Sequence, residues 1–147
     1  MPTADPDLAF EVLGDPRPQG SKRAIMPKHG TQPVVIESAG QPLKDWRRAM
    51  TDAAREARGE LECIDAPVAV SLAFRVARPK KPQWGWPAVA PDADKLTRAA
   101  LDSLTAARVF RDDARVVQLH VTKVYETPAQ PPGLVVKVWR IAVPSPW

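Results

Sequence analysis

The stretch Pro91–Val117, PDADKLTRAALDSLTAARVFRDDARVV, decides how this chain is read. Two aspartates one residue apart, Asp92 and Asp94, open it, and an adjacent pair, Asp112 and Asp113, closes it. Between them Leu96, Ala99, Ala100, Leu104 and Ala107 recur at helical spacing, which predicts a helix over about residues 94–107. Taken singly, the acids have ordinary explanations. An aspartate ahead of a helix caps it and suits the positive end of the helix dipole. Asp112-Asp113 reads as a turn, with Arg111 and Arg115 as ion-pair partners.

Taken together, the four carboxylates point to a cation. They stand at the two ends of one helix-and-return unit and are the oxygen donors that a hard divalent ion takes. The helix rises roughly 20 Å at about 1.5 Å per residue. Residues 108–113, if extended, return by about the same distance at about 3.3 Å each. Asp113 is therefore expected beside Asp92 and Asp94, where three carboxylates repel one another unless a cation sits between them. Arg98, one turn after Asp94, lies on that face.

Outward from this unit the elements alternate. Before it, Val68, Val70, Leu72, Phe74 and Val76 alternate with small or polar residues and predict a strand. That strand runs into ARPKKPQWGWPAVAP, a basic, proline-rich loop in which Trp84 and Trp86 flank Gly85. After the unit, Val117, Leu119 and Val121 predict another strand, and residues 134–143, LVVKVWRIAV, a last one. With no helix between these two, an antiparallel edge on a mixed sheet is expected. Towards the N-terminus, residues 8–13 predict a strand and residues 33–37 a short one pairing with residues 23–26. Residues 43–58 predict a helix with Leu43, Trp46, Met50, Ala53, Ala54 and Ala57 on its apolar stripe, ended by Gly59. The expected fold is α+β (mixed α/β): one domain over residues 1–147, a mixed β-sheet with two main helices packed on it.

Composition bounds the partners. With 147 residues, 44% hydrophobic and 26% charged, the chain has the make-up of one ordinary globular domain. Its 17 prolines exceed twice the average share of about 5% and predict long irregular connections. The formal net charge of +4 gathers in two spans free of acid. One holds Arg17, Lys22, Arg23 and Lys28, the other Arg75, Arg78, Lys80 and Lys81. Such loops suit a phosphate backbone or are simply solvated. The single Cys63 excludes an internal disulfide and a thiolate cluster. No basic-then-apolar leader opens the sequence and no apolar run approaches bilayer length, so a cytoplasmic protein is expected.

Pro91-Asp92-Ala93-Asp94-Lys95-Leu96, then Arg98-Ala99, Leu101-Asp102-Ser103-Leu104 and Arg111-Asp112-Asp113-Ala114-Arg115-Val116 resemble the core motif of the RusA family of Holliday-junction resolvases, found in bacteria and their prophages. Gly14-x-Pro16, Gly20-Ser21-Lys22-Arg23 and Trp46-Arg47 resemble its less specific flanks. The resemblance implies a homodimeric endonuclease, dependent on magnesium (Mg2+) or manganese (Mn2+), that nicks four-way DNA junctions symmetrically. It implies Asp92, Asp94 and Asp113 as catalytic acids and metal ligands, with Asp112 beside them. The family's essential lysine falls at Arg98, and the asparagine usual after the second aspartate falls at Lys95. Arginine keeps the charge but holds its proton. Arg17, Lys22, Arg23, Arg78, Lys80 and Lys81 are the expected DNA contacts. A metal nuclease for other branched DNA (forks or flaps) and a decayed junction binder remain the alternatives.

Overall fold

A computed structural model describes residues 1–20, 22–25, 30, 34–37 and 40–142, the segments 22–25 and 34–37 as strand backbone only. The elements are β1 (Leu8–Leu13), β2 (Lys22–Ile25), β3 (Val34–Glu37), α1 (Gly40–Arg58), β4 (Val68–Val76), α2 (Ala93–Ala106), a 3₁₀ turn (Asp113–Arg115), β5 (Val116–Tyr125) and β6 (Gly133–Arg140). Four strands form one sheet in the order β1-β6-β4-β5, and β2 and β3 form a separate antiparallel ribbon. The expected α+β domain with a mixed sheet and two helices is what forms.

One face of the sheet carries the core. Val68, Val70, Leu72 and Phe74 alternate onto it from β4, and Leu134, Val136 and Val138 from β6. Leu43, Trp46, Met50 and Ala54 of α1 and Leu96, Ala99, Ala100 and Leu104 of α2 close over them. Each helix thus buries one stripe, and the period-two pattern of β4 meets the 3.6-residue pattern of the helices. Trp46 packs in this core at 4% exposure, and Gly14, at φ +144°, sits where a Cβ would come within 3.2 Å of its ring. α1 begins three residues earlier than its apolar stripe suggests. Pro42 fits because a first-turn proline sacrifices no helical hydrogen bond.

The order of the strands corrects one expectation. β5 and β6 do not pair. β5 runs parallel to β4, joined through α2, whereas β6 lies antiparallel between β4 and β1. The loop after β5 therefore carries the chain past β4 to its far side, and the antiparallel strand is interior. Burial explains the choice: alternate residues of β6 are fully buried, while Val117–His120 of β5 are exposed as an edge strand can be. β6 also ends at Arg140, three residues short of the predicted end.

Arg75 departs from the acid-free basic span to which its sequence assigns it. It is 6% exposed, on the sheet face opposite the helices. Its Nη2 pairs with Glu11 Oε2 at 2.9 Å and its Nε donates to the Pro131 carbonyl at 2.7 Å. It fastens β1 across β6 to β4 and is removed from the basic surface. Among the described residues no helix is long and apolar enough to cross a membrane.

Candidate active site

The βαβ crossover positions the acids. β4 delivers the chain into the 77–92 loop, α2 runs back, and β5 starts again beside β4. Asp92 occupies the N-cap position of α2, yet its side chain makes no capping hydrogen bond. The structural explanation for this residue is therefore not realised. Its Oδ2 instead stands 3.5 Å from Lys95 Nζ, in an exposed ion pair one turn on. Asp94 and Arg98 follow on the exposed side of the helix, while Leu96 and Thr97 are buried beneath.

Asp112 and Asp113 lie at the other end of the crossover. Asp112 caps the 3₁₀ turn by accepting from the Ala114 N–H at 2.7 Å, and this bond holds its carboxyl below the ordinary range. Asp113 is shifted the opposite way. Partial desolvation raises its carboxyl first, the hydrogen-bonded Asp112 carboxyl second, and the charge of Asp102 adds to both. A carboxylate among carboxylates is an unfavourable arrangement that a cation relieves.

The return path differs from the extended segment expected. Arg108 turns back at φ +61°, with its N–H on the Thr105 carbonyl and the Val109 N–H on that of Leu104. Val109 and Phe110 are then buried, and reciprocal bonds between Val109, Ile64 and Arg111 moor the segment ahead of β4. Asp65 holds its exit, accepting from Arg111 at 3.0 Å and Arg115 at 2.8 Å. Apolar anchoring at Val109 and Phe110 shortens the return. Asp113 comes back beside the start of β4, near enough to α2 for the charge of Asp102 to act on it; Asp102 itself lies two turns, about 12 Å of helix rise, beyond Asp94.

Among the described residues no three His, Cys, Asp or Glu side chains stand together as a group able to hold a metal ion. The expected convergence of Asp92, Asp94 and Asp113 at the helix N-terminus is thus corrected for a single chain. The donor chemistry still suits a hard cation, because magnesium keeps most of its water and takes one or two carboxylates with substrate phosphate oxygens.

Two residues missed in the sequence complete this surface. Asp102 continues the i, i+4, i+8 row from Asp94 and Arg98, a spacing that was there to be read. Gln19 ties the 15–20 loop to it: its N–H donates to the Lys95 carbonyl at 3.0 Å and its Nε2 to Asp102 Oδ2 at 2.7 Å. Lys123, on β5, turns its Nζ to the Val89 and Pro91 carbonyls, 2.8 Å each, and fixes the loop where it enters Asp92. It is a brace for the site.

The expected DNA contacts divide. Arg78, Lys80 and Lys81 are exposed on the 77–92 loop. Arg17 is half-exposed and paired with Asp15 at 2.9 Å. The side chains of Lys22 and Arg23 lie outside the described residues, as does Lys28. A cleft of about 390 Å³ separates Asp15-Pro16 from the loop and passes Arg78, Pro91 and Tyr125, next to Asp92.

The endodeoxyribonuclease RusA family model matches residues 15–139, which include all the acids just described. The chain belongs to the RusA family. The crossover junction endodeoxyribonuclease RusA of Lactococcus phage r1t is 33% identical over 66 residues, 43% of this chain. The chain spans about half the length of that curated relative.

Proposed function

We propose that this RusA-family chain is a divalent-metal-dependent endodeoxyribonuclease that resolves four-way DNA junctions by symmetric hydrolysis of two phosphodiesters. The observation that carries the reading is the acid-lined surface of α2 and the turn after it. Its aspartates lie inside the family match, and Asp92, at the one position where capping would account for it, does not cap. The relative from phage r1t is named for crossover-junction cleavage, which supports the same substrate class.

In this reading Asp92, Asp94 and Asp113 are the catalytic acids and, with Asp112 beside them, the residues that hold Mg2+ or Mn2+. When bound, such an ion supplies Lewis acidity and a water of lowered pKa. Partial desolvation and Asp112, with a smaller contribution from Asp102, raise the Asp113 carboxyl, and a bound cation would relieve that crowding. Arg98 faces the phosphoryl oxygens as charge develops on them, a role suited to a guanidinium that never gives up its proton. Arg17, Arg78, Lys80 and Lys81, with Lys22 and Arg23, follow the phosphates of the DNA arms. A homodimer with a two-fold axis gives two sites for two strands, matching the symmetry of a junction.

A second reading has one observation behind it. Lys95 already offers a cation to Asp92, as expected of a junction binder whose metal site has decayed. Cleavage of a labelled mobile junction, beside a linear duplex of the same sequence, separates the readings. Paired nicks on the junction alone, lost in EDTA and with Asp94→Asn, establish the resolvase. Junction binding without nicks under Mg2+ or Mn2+ establishes the decayed binder, and equal cutting of both substrates removes the junction from the proposal.

A further inference from the structure

Trp84 and Trp86 have no place in the chemistry described so far. They are 49% and 65% exposed, on a loop whose Pro87 is buried against the domain. Large aromatic rings left in water on a folded surface usually mark a contact. The loop is not slack. Pro79, Pro82, Pro87 and Pro91 restrict its backbone, Lys123 moors its end, and the Arg78 N–H donates to Glu126 Oε2 at 3.1 Å.

The rings border an open groove of about 350 Å³ between the loop and the end of β5, lined also by Arg78, Pro82, Tyr125 and Glu126. Arg78 and Tyr125 line the cleft beside Pro91 as well, so the two concavities join. A path thus runs from the tryptophans to the residue before Asp92. Asp92 follows Trp86 by six positions, so the chain keeps them within about 20 Å of each other.

Charge selects the occupant. Between Asp65 and Asp92 the sequence has no acid; Arg78 lines the groove with the rings, and Lys80 and Lys81 are exposed on the same loop. The acid on the groove's far side, Glu126, is already engaged with the Arg78 N–H. Another copy of this chain, at net +4, would bring like charge against like. A polyanion carrying flat apolar rings meets both features at once, its phosphates on the cations and a base on the indoles.

We propose that Trp84 and Trp86 form a clamp for an unstacked nucleobase at the branch point of the DNA, and that this clamp distinguishes branched DNA from continuous duplex. The inference rests on the nuclease reading above and adds to it the source of substrate selectivity. In a continuous duplex a base must leave its stack to reach the groove, whereas a branch point presents bases whose stacking is already interrupted. The stiff loop holds the rings in place before the DNA arrives, so little order is lost on binding. The clamped base fixes the backbone that continues along the cleft towards Asp92.

The test uses full-length protein carrying Trp84→Ala, Trp86→Ala, both together, and both as Trp→Phe. Affinity is measured in EDTA for a four-way junction and for a duplex of the same sequence, with 2-aminopurine placed at the branch point. The double alanine variant is expected to bind the junction about tenfold or more weakly and the duplex within about twofold of wild type. Its junction complex should emit more brightly, because the probe base no longer stacks on indole. The phenylalanine pair should recover most of the junction affinity. Three results overturn the clamp. One is an unchanged ratio of junction to duplex affinity in the double variant. Another is an equal loss on both substrates, the mark of a non-specific contact. The third is a fall in oligomeric state on sedimentation, which would make the tryptophans a contact between copies. In all three, wild-type nicking of the junction leaves the nuclease reading intact. A wild-type protein with no junction preference removes that reading and the clamp together.

Discussion

Asp113→Asn should make the protein slightly more stable and nearly inactive. In the wild type the Asp113 carboxyl is raised by partial desolvation and by Asp112 and Asp102. A raised carboxylate pKa means that the ionised form is penalised in the folded state, so the penalty is complete well above that pKa. It disappears as pH falls and the group takes up its proton. Asparagine keeps the shape and removes the charge. Asp113 is exposed to solvent, so screening holds the gain to about 0.5 kcal/mol, or about 2 °C in melting temperature for a domain of this size. The gain should be present at pH 7 without divalent ions and absent below the ordinary carboxylate pKa of 3.8. Added Mg2+ should reverse the order, because the ion stabilises only a protein that binds it. Junction cleavage should fall by about 10²-fold or more, the usual loss when one charge-handling group leaves a phosphoryl-transfer site. Thermal melts at pH 7 and pH 3.5, with EDTA and with Mg2+, together with single-turnover nicking, measure both effects. A variant that melts below wild type at pH 7 in EDTA, or that keeps a tenth of the cleavage rate, would refute the argument.

Three further outcomes follow from contacts elsewhere in the chain. Gly133→Ala should cost about 2–4 kcal/mol and lower the melting temperature by about 10 °C. The new Cβ would stand 2.5 Å from the Val12 carbonyl and 3.1 Å from Arg75 Nη2, inside a paired ladder; a shift under about 2 °C would contradict this. Asp65→Asn should weaken the protein at neutral pH and have no effect in acid. The Asp65 carboxyl is lowered by its bonds to Arg115 and Arg111, so its contribution is present above the ordinary pKa and is lost as pH falls through the lowered one. Urea titrations at pH 7 and pH 3 read the difference, and equal destabilisation at both would count against the ion pairs. Lys95→Asn removes the cation from Asp92, so the Mg2+ concentration for half-maximal nicking should fall about two- to fivefold; a higher requirement would show that Lys95 assists the site.

The fold was legible where periodicity and burial agree. β4 and α2 announce themselves because a strand buried under helices and a helix lying on it have different apolar periods. The placement of β6 was not legible. Adjacent strands joined by a short loop look like a hairpin, and only the competition for the interior position, won by the better-buried Leu134, Val136 and Val138, sends β6 to the far side of β4. Arg75 shows the same limit for charge. Its neighbours in sequence made it part of a basic loop, but its strand parity placed it over Gly133, where Glu11 and the Pro131 carbonyl take it up. Lys123 is a cation on the same strand parity as Leu119 and Val121, and it is taken up by the carbonyls of Val89 and Pro91 at the end of the neighbouring loop.

The acids teach a sharper lesson, because chain length alone allowed Asp113 to reach the start of α2. What decides the matter is the apolar pair before it. Val109 and Phe110 bury themselves beside Ile64, and they leave the acids as two groups towards the two ends of a helix row in which Asp94 and Arg98 are exposed and Asp102 is half-buried against Gln19. In that layout the row along α2 is the link between the ends. Arg98 stands midway, one turn from Asp94 and one from Asp102. A phosphate backbone laid along the row would meet carboxylates at both ends and a guanidinium at the centre, and bound cations would be needed at the ends to make that approach favourable. The requirement for a divalent ion in this reading therefore belongs to DNA binding as well as to hydrolysis. Asp94→Asn combined with Asp102→Asn should accordingly bind junction DNA more tightly in EDTA than wild type while failing to cut it. Weaker binding by that pair, measured by titration at fixed low salt, would show that the row does not face the DNA.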